Sequence, residues 1–172
     1  MGLAADLDYR FPNPGPLRRL VQRVAATRAG GWVFSRVLRH LDDVVKRLSR
    51  GRTSAPEILA GLPVLELATT GRRSGQVRTS HLIALPCGAD LALLGTNFGQ
   101  PATPAWVLNL EADPKATVSY QSRSVTVLAR PASQQEYDEV LRASDRIYPG
   151  YRAYLRRITG RRVRIFVLAR SA

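Results

Sequence analysis

Thr69-Thr70-Gly71-Arg72-Arg73-Ser74-Gly75-Gln76-Val77-Arg78 sets three guanidinium groups around a turn with glycine at both ends, between two apolar runs, Leu62 to Ala68 and Thr79 to Leu85. The runs have the β-branched and leucine-rich character of strands, so the stretch reads as a hairpin with its arginines at a sheet end, where backbone N–H groups also face outward. A phosphate or another anion is the natural partner of such a turn; an ordinary basic surface turn is the competing reading.

Working outward, further strand signals fall at 78–86, 90–96, 115–121, 123–130 and 163–169, several divided by turn residues such as Cys87-Gly88-Ala89-Asp90. Together with 62–69 these make six strands of a mainly β domain with helical insertions (α+β), enough for an antiparallel barrel. Pro104 to Leu110 reads as a short helix opening on proline. Ser133 to Ile147 reads as a longer one with a capping box from Ser133 and Glu136, and a basic helix runs from Tyr151 towards Thr159.

Upstream, residues 1–16 carry Pro12, Pro14 and Pro16 and read as a loop or arm. From Trp32 to Leu48, apolar residues recur at three- and four-residue steps between charged ones, which is an amphipathic helix. Packing on its own domain is the plain reading of that helix, and its basic polar face also permits peripheral contact with anionic lipid. The division expected is 1–60 for arm and helix and 61–172 for the barrel.

The 172 residues carry a formal charge of +13, and 24 of the 26 basic residues are arginine. High-GC codon usage and a polyanionic ligand would both produce that bias. The basic residues are spread among three regions without a recognised nucleic-acid motif, so nucleic acid is not the expected partner. Cys87 is alone, which excludes an internal disulfide and a thiolate zinc site and fits a reducing, cytoplasmic setting. His40 and His81 lie far apart, so no metal site is expected. Arg18, Arg19, Arg23 and Arg28 interrupt every candidate signal-peptide core, and no run approaches the ~20 apolar residues of a membrane span. No nucleophile elbow, Walker loop or Rossmann fingerprint occurs, so an enzyme here would take its hard chemistry from a bound cofactor.

Two other stretches can carry a ligand. In Leu94-Gly95-Thr96-Asn97-Phe98-Gly99-Gln100 a leucine-rich strand runs into small and polar residues, where glycine lets a flat molecule approach the backbone. Tyr148, Tyr151 and Tyr154 are half of the chain's six tyrosines, at a spacing that gives them one helix face. They suit either packing or a partly polar pocket for an aromatic ligand.

The basic turn, then Pro104-Ala105-Trp106-Val107-Leu108-Asn109-Leu110 with Asp113-Pro114-Lys115, then Tyr148-Pro149-Gly150-Tyr151, together resemble the deazaflavin-dependent nitroreductase family in order and spacing from about residue 60 onward. The resemblance implies a split β-barrel related to flavin mononucleotide-binding proteins, with coenzyme F420 as cofactor in preference to flavin mononucleotide. It implies an oxidoreductase passing a hydride to a small conjugated acceptor such as a quinone or nitroaromatic compound; a non-catalytic cofactor- or lipid-binding protein is the alternative.

The resemblance further puts Arg72, Arg73, Ser74 and Arg78 on the cofactor's phosphate and acidic tail. Thr79, Ser80, His81, Leu82 and Ile83, with Leu94, Gly95, Thr96 and Asn97, would lie along the ring and its ribityl chain, while Ala105, Trp106, Val107, Leu108 and Asn109 close another side. Tyr148, Tyr151 and Tyr154 would wall the acceptor pocket, with Tyr151 nearest the reactive ring and Tyr151 and Thr96 as the catalytic pair. Phe98 and Thr103 depart from the family's usual residues beside the pocket mouth, so acceptor preference transfers least. Oligomeric state is not readable from the chain.

Overall fold

The computed structural model describes residues 2–10, 27, 63–148 and 150–171. The amphipathic helix read at 32–48, and with it the expectation of lipid contact, lies outside the described residues.

Six antiparallel strands close into a barrel in the order β1-β2-β3-β6-β5-β4: β1 Val64–Thr70, β2 Val77–Cys87, β3 Asp90–Leu94, β4 Lys115–Tyr120, β5 Arg123–Pro131 and β6 Ile165–Arg170. Side-chain alternation explains the closure. Leu65, Leu67 and Thr69 of β1 point inward, as do Ala116, Val118 and Tyr120 of β4, Val127 and Ala129 of β5 and Leu91 and Leu93 of β3. A barrel this small is filled by side chains and leaves no pore.

Both ends of the barrel are plugged. At one end sits α2, Ala105–Ala112, whose sequence is apolar on nearly every face and which buries Trp106, Val107 and Leu110, with the Trp106 ring edge-on to Phe166 at 6.2 Å. At the other end the single helical turn α1, Leu3–Asp6, and the residues after it bury Leu3, Leu7 and Tyr9. The Tyr9 hydroxyl donates to the Pro63 carbonyl at 2.6 Å and accepts from the Ala84 N–H at 3.0 Å. The start of the segment read as a loop or arm is therefore part of the core: Leu3 and Leu7 sit a turn apart, a two-residue apolar signal too short to stand out beside the prolines that follow.

A second apolar cluster lies outside the barrel, where α3, Gln134–Ile147, and α4, Gly150–Arg157, cover the outer face of β2 and β3. The capping box at the start of α3 is formed, with Ser133 Oγ accepting from Glu136 N–H and Glu136 Oε2 from Ser133 N–H. The strand read at 90–96 stops at Leu94, because Gly95 N–H turns to the Arg164 carbonyl and Thr96 begins a 3-10 turn over Asn97–Gly99.

Candidate active site

The barrel is split along β2. Val77 to Ile83 pair with β1, whereas only Ala84 to Cys87 pair with β3, so no strand among the described residues takes the second edge of Val77–Ile83. That leaves an open sheet edge between the first half of β2 and the end of β3. Its rim can be followed by direct contacts.

The rim begins at the connection between β1 and β2. Gly71 N–H donates to the Gln76 carbonyl at 2.8 Å, Gly75 N–H to the Gly71 carbonyl at 2.7 Å, and Gly75 takes φ +66°, a left-handed conformation glycine adopts without strain. Arg72, Arg73 and Arg78 project from this turn into solvent. Arg130, Arg152, Arg164 and Arg170 each pair with a carboxylate, yet the three turn arginines make no ion pair among the described residues.

Next comes α2. The buried Asn109 carboxamide accepts from Arg72 N–H at 3.1 Å and donates to Thr69 Oγ1 at 3.0 Å, and the threonine hydroxyl donates to the Arg78 carbonyl at 3.3 Å. One side chain thus ties the helix to both arms of the turn. Two residues earlier on α2, Val107 packs so closely on Gly95 that a Cβ there would lie 2.8 Å from its methyl group. Gly95 is needed for that approach.

From Gly95 the rim runs through Thr96, Asn97 and the 3-10 turn to α4, where the Gly99 backbone lies against that of Tyr154. The circuit closes through the tyrosines. Tyr148 and Tyr154 hydroxyls are 3.0 Å apart, the Tyr151 ring stands edge-on to both, and Tyr151 Oη donates to the Ile83 carbonyl at 3.3 Å, where β2 leaves β1 for β3. All three rings are buried, and burial pushes each phenol above the usual tyrosine range. They stay protonated at every physiological pH.

The residues singled out from sequence divide by burial. Arg72, Arg73, Ser74, Arg78, Thr79 and His81 are exposed, and Ser80, Leu82, Ile83, Asn97 and Leu108 are half-buried. Strand alternation separates the β2 set: Arg78, Ser80 and Leu82 lie opposite the inward-facing Thr69, Leu67 and Leu65, while Thr79, His81 and Ile83 share the outer face with the tyrosine cluster. His81 Nε2 lies 3.4 Å from Glu66 on that face. In Ala105–Asn109, expected to close over a cofactor, Ala105 is exposed, but Trp106, Val107 and Asn109 are turned into the protein; the first two fill the barrel and the third holds the turn. Leu94 and Thr96 are buried as well.

One residue of consequence had no signal in the sequence. The Arg161 guanidinium donates to the carbonyls of Gly95, Thr96 and Gln100 at 2.9, 3.1 and 3.1 Å, fixing the whole loop after β3. Desolvation pulls its pKa down. In the sequence it stands beside Arg162 after Gly160 and looks like any other surface basic pair.

The family profile described as F420H2-dependent quinone reductase matches residues 38–170, which includes every strand of the barrel and the whole rim. The chain belongs to the F420H2-dependent quinone reductase family. An F420H2-dependent quinone reductase of Mycobacterium tuberculosis is 30% identical over 101 residues, covering 59% of this chain and 67% of that protein. Among solved structures, an F420-H2-dependent reductase (FDR-A) superposes with a TM-score of 0.56 at 25% identity, covering 62% of this chain and 93% of its own. A protein solved as a domain-swapped dimer shares the fold at a TM-score of 0.59 and 22% identity, over 73% of this chain and 94% of its own. Family and fold therefore agree with the split barrel and the deazaflavin reductase expected from the sequence. No described helix is long and apolar enough to cross a membrane.

Proposed function

We propose that this protein passes a hydride from reduced coenzyme F420 to a quinone or a related conjugated acceptor in the cleft between β2 and the end of β3. The observation that carries the reading is the turn at 71–75 with the start of β2: the guanidinium groups of Arg72, Arg73 and Arg78, without carboxylate partners among the described residues, on a backbone fixed from behind by Asn109, beside an unpaired strand edge. Such a cradle fits an elongated anion with an aromatic head. Arginine suits it because its planar donor fork matches phosphate and carboxylate oxygens and keeps its charge at any working pH.

When bound, the reduced deazaflavin supplies a two-electron hydride. Every other task falls to the chain. Arg72, Arg73, Arg78 and the Ser74 hydroxyl hold the phosphate and acidic tail. The unpaired edge of β2 from Thr79 to Ile83 on one side and Leu94, Gly95, Thr96 and Asn97 on the other flank the ring, with α2 beneath them holding the rim's shape. Tyr148, Tyr151 and Tyr154 close the acceptor end and keep water out, which matters because a hydride donor held at about 3–3.5 Å from its acceptor gains most from orientation. Tyr151 Oη, kept neutral by its burial, would offer its one proton to an acceptor oxygen by turning it from the Ile83 carbonyl, and Thr96 assists from the opposite rim. A neutral phenol suits a carbonyl or nitro oxygen that gains charge as the hydride arrives.

The test is direct. Apoprotein is mixed with reduced F420 and, separately, with reduced flavin mononucleotide, and cofactor oxidation is followed after adding a quinone. Oxidation dependent on protein with F420 alone supports the reading. Turnover with flavin mononucleotide alone, or binding of F420 without turnover of any acceptor, contradicts it.

A further inference from the structure

Asn97, Phe98 and Gly99 all take left-handed backbone conformations, with φ of 48°, 56° and 80°. In this region the Cβ of an ordinary residue crowds the neighbouring carbonyl, so glycine is the usual occupant and a phenylalanine is strained. Strain of this kind persists where the surroundings over-determine the backbone, and it gathers at functional sites. The surroundings do so here. Arg161 grips the carbonyls of Gly95, Thr96 and Gln100, Asn97 Nδ2 donates to the Ala102 carbonyl at 3.0 Å, Gly99 N–H donates to Thr96 at 2.9 Å, and the Gly99 backbone abuts Tyr154.

Core packing does not explain the phenylalanine. Phe98 is 41% exposed, and its ring packs T-shaped against the Tyr154 ring, with centroids 6.0 Å apart. A fixed backbone thus carries a large, exposed aromatic side chain at the rim between Thr96 and the tyrosine cluster, in a conformation that favours the residue with no side chain at all.

We infer that Phe98 is a specificity-determining residue that narrows the acceptor end of the cleft and discriminates against acceptors with fused rings. The inference rests on the functional reading above. Arg161 is its positioning residue, since it fixes the loop that aims the ring.

The experiment compares kcat/KM for a one-ring benzoquinone and a two-ring naphthoquinone, with reduced F420, in the parent protein and in Phe98→Gly and Phe98→Leu. Phe98→Gly should raise the naphthoquinone-to-benzoquinone ratio by about 10-fold, within the range that a change of pocket shape can deliver. Its Tm should equal or exceed the parent's, because glycine takes φ +56° freely, and its Kd for F420 should stay within about twofold. Phe98→Leu keeps most of the bulk and should keep the parent ratio. A ratio unchanged in Phe98→Gly, or one that falls because the ring stacks on its acceptor, overturns the inference while leaving the function intact. If the parent protein turns over neither quinone, the functional reading itself fails.

Discussion

The side-chain oxygen of Asn109 accepts a hydrogen bond from the backbone N–H of Arg72 at 3.1 Å, and this bond joins the helix that plugs the barrel to the turn that carries the arginines. The same carboxamide donates to Thr69 at the end of β1, so the turn is held on both sides by one buried group. Asn109→Leu would leave the Arg72 N–H without its partner and the Thr69 hydroxyl with only its bond to the Arg78 carbonyl, at a cost of about 1–3 kcal/mol of stability. Asn109→Asp keeps the acceptor but puts a negative charge behind an anion cradle. F420 affinity should therefore fall further in Asn109→Asp than its Tm does, whereas Asn109→Leu should lose both; isothermal titration alongside thermal melts separates the two patterns.

Tail binding and turnover should be separable. Arg73→Ala removes an exposed guanidinium and is expected to weaken F420 binding about 10-fold with a smaller effect on kcat. Tyr151→Phe is expected to do the reverse, since a positioned hydrogen-bond donor contributes on the order of 10²-fold to the chemical step. Titrating each variant with F420 and measuring single-turnover rates gives both numbers. The Arg73 effect should also shrink as salt is raised, because exposed charges are screened within about 10 Å at 0.1 M. Equal losses of affinity and rate in both variants would remove the division of labour.

At the far end of the barrel, Tyr9→Phe should destabilise without touching activity. The hydroxyl satisfies the Pro63 carbonyl and the Ala84 N–H in a buried setting, so its loss is worth about 1–3 kcal/mol, or several degrees of Tm for a chain of this size. Kinetic constants measured at 25 °C should match the parent.

On the acid side, one carboxyl among the described residues links stability to pH. The side-chain bond from Arg130, with the Ser133 N–H, lowers the Glu136 carboxyl to about 2. A carboxyl depressed on folding stabilises fully above its unfolded pKa and loses that contribution as pH falls towards the folded value. The Tm difference between the parent and Glu136→Gln should be constant above about pH 5 and shrink steadily between about pH 4.5 and 2. A difference that grows on acidification would contradict the assignment.

Much of the molecule was legible because local patterns and tertiary demands coincide. The inward residues Leu65, Leu67 and Thr69 alternate as a half-buried strand must, and Ser133 with Glu136 caps α3 through contacts three residues apart. The arginine turn was legible for the same reason: its glycines and charges are contiguous. What stayed hidden depends on residues distant in sequence. Tyr9 meets Ala84, Asn109 meets Arg72, and Arg161 meets Gly95; nothing in the flanking sequence announces those partners. Trp106 and Val107 belong to a family motif, and it is the barrel around that motif's helix that turns their side chains inward as core. The strained backbone of Phe98 is invisible in composition altogether.

On the proposed reading, the turn at 71–75 and Arg78 capture an anionic tail and so place a deazaflavin ring in the split of the barrel. The most direct measurement is the Kd of the protein for F420 beside its Kd for the same deazaflavin lacking the phosphate and glutamate tail, repeated in a variant with Arg72, Arg73 and Arg78 all changed to alanine. The account predicts that F420 binds the parent protein at least about 100-fold more tightly than the tail-less ring, equivalent to ~2.7 kcal/mol, and that the triple variant erases most of this gap while binding the bare ring as before. Equal affinity for the two ligands in the parent protein, or a gap that survives the triple substitution, would contradict it.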